Sequence, residues 1–143
     1  MSQLYELSRR FPDKFVHDNP SGYGDYIQHS VIRQRLLSVL GAYSTDVVET
    51  IYDDGIVTGV ILKLTCVIDG TEVSIVEVGD VEKPSNWKTN GARMKDAMSD
   101  AIKRCAMALG VGLHLWSQIN GQDEYFLDKQ LEKGLNAEES KSE

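Results

Sequence analysis

Between residues 83 and 104 stand Lys83, Lys88, Arg93, Lys95, Lys103 and Arg104 against only Asp96 and Asp100, a local net charge of +4 in a chain whose total is −7. Lysine and arginine gathered in this way attract phosphate without reading a base sequence. Trp87, among them, offers a ring face on which a base can stack, or an indole that closes a core. By charge pattern alone the adjacent pair Lys103-Arg104 also reads as a solvated helix face. The opposite charge collects at the other end, where seven acidic and three basic residues follow Gln122. An acidic total repels polyanions as a whole, so any phosphate chemistry belongs to the local patch and not to the net field.

Other chemistries find less support. Cys66 and Cys105 are the only cysteines, and no CxxC accompanies them. His17, His29 and His114 lack ligand spacing and read as surface or half-buried residues, so no metal site and no cofactor is expected. There is no GxxxxGK[ST] loop, and "GVGLHL" follows a helix where a dinucleotide fingerprint needs a strand. No nucleophile elbow supports Ser-His-Asp catalysis; Ser30, Ser38 and Ser99 read as caps or solvated positions. A metal-dependent nuclease would need converging carboxylates, for which Asp53, Asp54, Asp69 and Asp80 are the candidates, although aspartate is common in turns for backbone reasons. Nothing reads as an active site, so the expectation is a binding protein and not an enzyme.

The elements that must position the cations follow from periodicity. With 143 residues, 41% hydrophobic and 26% charged, the chain is long enough for one real core. No apolar run spans a membrane and no export signal opens the chain, so the expected location is cytoplasmic. Residues 1–25 read as an N-terminal arm with a short helix near Gln3 to Arg10, ending in the turn formers "NPSGYGDY". "HSVIRQRLLSVLG" follows as a helix, with Ile32, Leu36, Val39 and Leu40 on its apolar stripe, Ser30 as cap, Gly41 as stop, and Arg33 and Arg35 off the stripe.

Three strand-like runs come next, "VVETIY", "IVTGVILKLTCVI" and "EVSIVEVGDVE", separated by "DDG" and "DGT" turns. Val60, Leu62, Leu64, Cys66 and Ile68 alternate onto one face, and Gly59 and Gly79 mark bulges or close approaches. After the loop "KPSNWKTNG", a long helix runs from about Ala92 to Leu109, with Gly110 as its stop. On a 100° wheel Met94, Met98, Ala101, Ile102, Cys105 and Leu109 share an arc of about 100°, which assigns the methionines to the core. Lys103, Asp96, Asp100, Ser99 and Arg93 fall on the opposite side, with Arg104 and Lys95 at the edges. The fold class is therefore α+β, with an α-β-β-β-α core in which an antiparallel three-stranded meander packs on a long amphipathic helix. Residues 26–116 form the domain, and 117–143 an acidic, partly disordered tail with one or two amphipathic turns around Tyr125 to Leu135.

"YIQHSVIRQRLLSVLG", the meander and "ARMKDAMSDAIKRCAMALGVGL", taken in that order, resemble the Rad-fifty-two type of single-strand DNA annealing protein, particularly its short phage and bacterial members. The most specific run is "SDAIKRCAMALGVG", where a small residue and an aspartate precede the Lys-Arg pair and a glycine closes the helix. "FPDKFV" and the tyrosine of "DYIQHSVI" add weaker support. The resemblance implies subunits assembled into a ring or helical oligomer, with basic residues lining a groove for one DNA strand. It makes Lys103 and Arg104 the groove-lining pair and Lys95 a basic position before it; Arg93, Lys88 and Trp87 are neighbouring candidates. Two positions depart from the pattern. Met107 stands where better-known members carry arginine, and Val31 stands near their basic residue in the first helix, with Arg33 or Arg35 as local substitutes.

The implied activity is ATP-independent annealing of complementary strands in homologous recombination or double-strand break repair. The implied partners are single-stranded DNA, further copies of the chain, and a host single-strand-binding protein or exonuclease, with no membrane. An oligomer is also expected from charge, because few cations on one acidic subunit bind weakly at about 0.15 M salt and repetition multiplies the contacts. A double-stranded RNA binding module shares the α-β-β-β-α order and is the main alternative, a metal-dependent nuclease the lesser one.

Overall fold

The computed structural model describes residues 2–18 and 25–116. The turn formers expected at 19–24 and the expected acidic tail lie outside the described residues. The chain divides into two compact units, one built from the described residues up to Gly41 together with those from Leu109, the other from Ala42–Ala108.

The first unit begins with α1 (Gln3–Ser8), inside the expected span. Ser2 Oγ accepts the Tyr5 N–H at 3.3 Å, which satisfies one of the donors a helix start leaves open. A single 3₁₀ turn (Asp13–Phe15) leads into β1 (Val16–Asp18), which pairs antiparallel with β2 (Asp25–Ile27). These strands are too short to show alternation in the sequence. α2 (His29–Leu40) buries Ile32 and Leu36, one turn apart on the expected stripe. Its start differs from expectation: β2 ends at Ile27, so the chain enters the helix at Gln28, whose carbonyl accepts the N–H groups of Val31 and Ile32. Ser30 therefore lies within the first turn and does not cap. Gly41, at φ +72°, ends the helix as expected, its N–H donating to the Leu37 carbonyl. α4 (Leu113–Trp116) closes this unit. His114 is buried and its ring stacks on Phe11 at 6.2 Å between centroids, which corrects its reading as a surface or half-buried residue.

The second unit is the meander and the long helix. β3 (Ser44–Asp53), β4 (Ile56–Ile68) and β5 (Thr71–Asp80) form one antiparallel sheet in sequence order. Both hairpins close on Asp-Gly pairs whose two residues have positive φ, Asp54 (50°) with Gly55 (76°) and Asp69 (50°) with Gly70 (84°). That is what a two-residue primed turn demands and why the dipeptide signals it. On β4 the expected residues Val60, Leu62, Leu64, Cys66 and Ile68 are all buried. Register shifts at Val48 and at Thr58 interrupt the β3–β4 ladder, whereas β4–β5 runs unbroken from Gly59–Asp80 to Ile68–Thr71.

α3 (Asn90–Ala108) packs across β4 and β5. Thr89 Oγ1 accepts the Ala92 N–H, and Asn90 reaches back to the first hairpin, accepting the Val57 N–H and donating to the Gly55 carbonyl. The helix therefore starts two residues earlier than its apolar pattern suggests. Gly79 sets the depth of packing: a Cβ there would fall on the Ala97 carbonyl oxygen and within 2.7 Å of Ala101 Cβ. Only a glycine opposite two alanines lets helix and strand approach this closely.

The buried face of α3 is wider than the expected stripe. Ala97, Asp100, Ala101, Ile102, Cys105 and Ala106 are buried while Met94 and Met98 are half-buried, so the buried positions extend around roughly 240° of the wheel and not about 100°. Asp100, expected on the solvent side, is 4% exposed.

Candidate nucleic-acid interface

Residues 80–83 run from the end of β5 along α3, and the helix binds this segment through carboxylates. Asp96 Oδ2 accepts the N–H groups of Glu82 and Lys83 at 2.8 and 3.2 Å, and Asp100 Oδ2 accepts the Asp80 N–H at 3.0 Å. Asp96, Asp100 and Lys103 stand at i, i+4 and i+7, so they form one row beside this segment. Burial of Asp100 is tolerable because its charge is compensated by donors on more than one side.

Lys103 and Arg104 both border that row, yet they are held differently. Arg104 Nε donates to the buried Asp100 carboxylate at 3.1 Å, and its side chain is 47% exposed. Its Nη groups donate no hydrogen bond to any described residue. Lys103 Nζ lies 3.5 Å from Glu82 Oε1, a looser pair with both side chains partly in solvent. The carboxyl groups respond to this arrangement. Burial pushes Asp100 up, but the Asp80 N–H, a hydrogen bond from Glu82 and the Arg104 charge outweigh it and hold the group below its ordinary value. Glu82 moves the other way, raised by burial and by Asp100, with Lys103 opposing. The Arg104 guanidinium is held still more firmly protonated by Asp100.

Of the other expected site residues, Lys88 and Lys95 are exposed and make no ion pair or hydrogen bond with any described residue. Arg93 is half-buried, and its Nε and Nη2 both donate to the Trp87 carbonyl at 3.1 and 2.8 Å. It thus braces the loop that carries Trp87 and Lys88. Trp87 is half-buried, with its indole N–H shielded from solvent and without a hydrogen-bond partner among the described residues.

Arg33 and Arg35 belong to the first unit. Arg35 Nη1 donates to the carbonyls of Glu6, Leu7 and Arg9, and its guanidinium carbon sits 3.9 Å from the Phe11 ring centre. It satisfies the carbonyls that the end of α1 leaves open and ties α1 to α2. Glu82 and Asp100 were not among the expected site residues. The i, i+4 spacing of Asp100 and Arg104 was a visible signal for one of them.

Among the described residues no three histidine, cysteine, aspartate or glutamate side chains are grouped to hold a metal ion; of the carboxylates weighed for a nuclease, Asp69 lies at the opposite end of the 13-residue β4 from Asp53, Asp54 and Asp80. Burial and the Glu77 charge push the Cys105 thiol up to about 11, so it remains protonated and serves as a small apolar contact.

An antiparallel three-stranded sheet packed on a long helix that carries Lys95, Lys103 and Arg104 defines an α+β module. The sequence matches the model of the Rad52/22 family double-strand break repair protein over residues 6–133. That match takes in both units and the Lys103-Arg104 pair, and the chain belongs to this family of DNA recombination and repair proteins, of the annealing type. No curated protein and no solved structure matches it significantly.

Proposed function

We propose that the protein binds single-stranded DNA through the Lys103-Arg104 edge of α3 and anneals complementary strands without ATP. The observation that carries this reading is that the family match includes a Lys-Arg pair lying partly or largely in solvent on a helix otherwise committed to its sheet. Cations on such an edge lower the repulsion between two polyanionic strands, and pairing with the incoming strand supplies the driving energy. Lys95, about 180° around α3 from Arg104, and Lys88, just before the helix, are further exposed cations, with Trp87 next to Lys88.

Oligomeric assembly, as a ring or a helix, is part of the same proposal. The chain carries −7 in total, so a single subunit offers one strand few cations against an unfavourable field. β3 and β5 are both sheet edges, and Val47, Val48 and Tyr52 on β3 are 39–60% exposed. Edges of this kind are covered when copies of a chain pair. No helix among the described residues is long and apolar enough to cross a membrane. A cytoplasmic setting, an origin among the short phage or bacterial members, and an exonuclease or single-strand-binding protein as the source of the strand complete the reading.

The test is the rate of annealing of complementary oligonucleotides without ATP, for the natural chain and for Lys103→Ala/Arg104→Ala. The double variant is expected to fall to the spontaneous rate with only a modest fall in melting temperature. An unchanged annealing rate would reject the site. Light scattering should find a species many times the 16.0 kDa of one chain.

A further inference from the structure

The two cations of the proposed site have unequal partners, and the inequality has a consequence for how a strand is taken up. Arg104 is held by a carboxylate that is 4% exposed and already fixed to the backbone of Asp80. Lys103 is held by one that is 45% exposed, on a segment whose backbone N–H groups donate to Asp96 and whose Glu82 side chain also meets the edge of Asp100. We infer that Asp100 is a positioning residue that keeps Arg104 aimed for phosphate, and that Glu82 is a displaceable stand-in for phosphate that occupies Lys103 until a strand arrives. The inference rests on the single-strand-binding reading above and names how that site is tuned.

The geometry separates the two roles. A guanidinium held through Nε keeps its two Nη groups for a phosphate, so Asp100 and a strand can be bound together. A lysine ammonium is a point charge, and at 3.5 Å from Glu82 it gains little from an exposed pair. A phosphate therefore competes with Glu82 on nearly even terms, whereas it has no access to Asp100. The groups facing Glu82 are Asp100 and Lys103 on α3, with Asp96 at its backbone. Protonation of Glu82 removes the competitor, and burial beside Asp100 favours that protonation. Strand binding should therefore strengthen as pH falls toward the raised Glu82 value.

Equilibrium binding of a fluorescent oligodeoxythymidylate to the full chain, measured against salt and pH, tests the assignment. Glu82→Gln should bind about two- to fivefold more tightly at low salt. Its log K against log salt should steepen by up to about 0.7 per bound subunit, the single-strand value for one phosphate contact, and its pH dependence should flatten. Asp100→Asn removes a negative charge too, so a merely electrostatic role predicts tighter binding for it as well. A positioning role predicts the reverse, about three- to tenfold weaker binding. Arg104→Lys, which keeps the charge and leaves Asp100 intact but lacks the fork, should match Asp100→Asn even if that variant is less stable. Tighter binding by Asp100→Asn, or full affinity in Arg104→Lys, overturns the positioning role. An unchanged affinity and slope in Glu82→Gln overturns the stand-in, and a natural chain that binds no oligonucleotide overturns the single-strand reading itself.

Discussion

The two compact units use the same side chain for opposite ends. In the first, Arg35 gives its guanidinium to three backbone carbonyls and the face of Phe11, and so spends it on holding α1 against α2. In the second, α3 is held on its sheet by close apolar contact at Gly79, and Arg104 gives only Nε to one carboxylate. The difference teaches that position off an apolar stripe does not identify a functional arginine. What a ligand could use is the set of donors the fold leaves unused.

The largest effect should come from the close contact that makes the second arrangement possible. Gly79→Val drives a side chain into the backbone of α3 at Ala97, and a loss on the order of 3 kcal/mol or more is expected in urea unfolding. Arg35→Ala comes next. Removing a charged donor from several carbonyls and a ring should cost about 2–4 kcal/mol, while annealing by the chain that remains folded is retained. Arg104→Ala sharpens the contrast, with strand binding lost but stability changed much less than for Arg35→Ala. A variant pair with these two outcomes reversed would dissolve the comparison.

The smallest effect concerns pH. Asp100 is held below its ordinary value of 3.8, so its contribution to stability is complete above that value and is lost as pH falls through the lower folded one. Glu82 is raised above 4.5, so its contribution is complete below that value and is lost as pH rises through the higher folded one. Between these limits the pair stabilises the fold most, at mildly acidic pH. Glu82→Gln should then raise the stability slightly at neutral pH, by well under about 1 kcal/mol because the side chain is 45% exposed. Thermal melts between pH 4 and 8 would show the difference between variant and natural chain growing with pH; a difference independent of pH would reject the assignment.

Much of the second unit was legible in the residues because its rules are local. Alternation on β4, two Asp-Gly turns and a glycine stop each act within a few positions, so strand order and helix length follow closely. The burial of Asp100 was not legible. A helical wheel sends a carboxylate outward on polarity alone, and only the arrival of the Asp80 N–H from β5 makes its burial satisfiable. The partners of Arg35 were hidden for the same reason, since the carbonyls it serves lie 26 to 29 residues away in sequence.

By itself the sequence determined the periodicities, the turns, the charged patch and the family to which the chain belongs, because each is written in residues near one another or in a motif read as a string. Tertiary structure decided which charges are spent on the fold and which are left in solvent. That decision depends on backbone donors and acceptors delivered from distant segments, and burial makes their pairing obligatory.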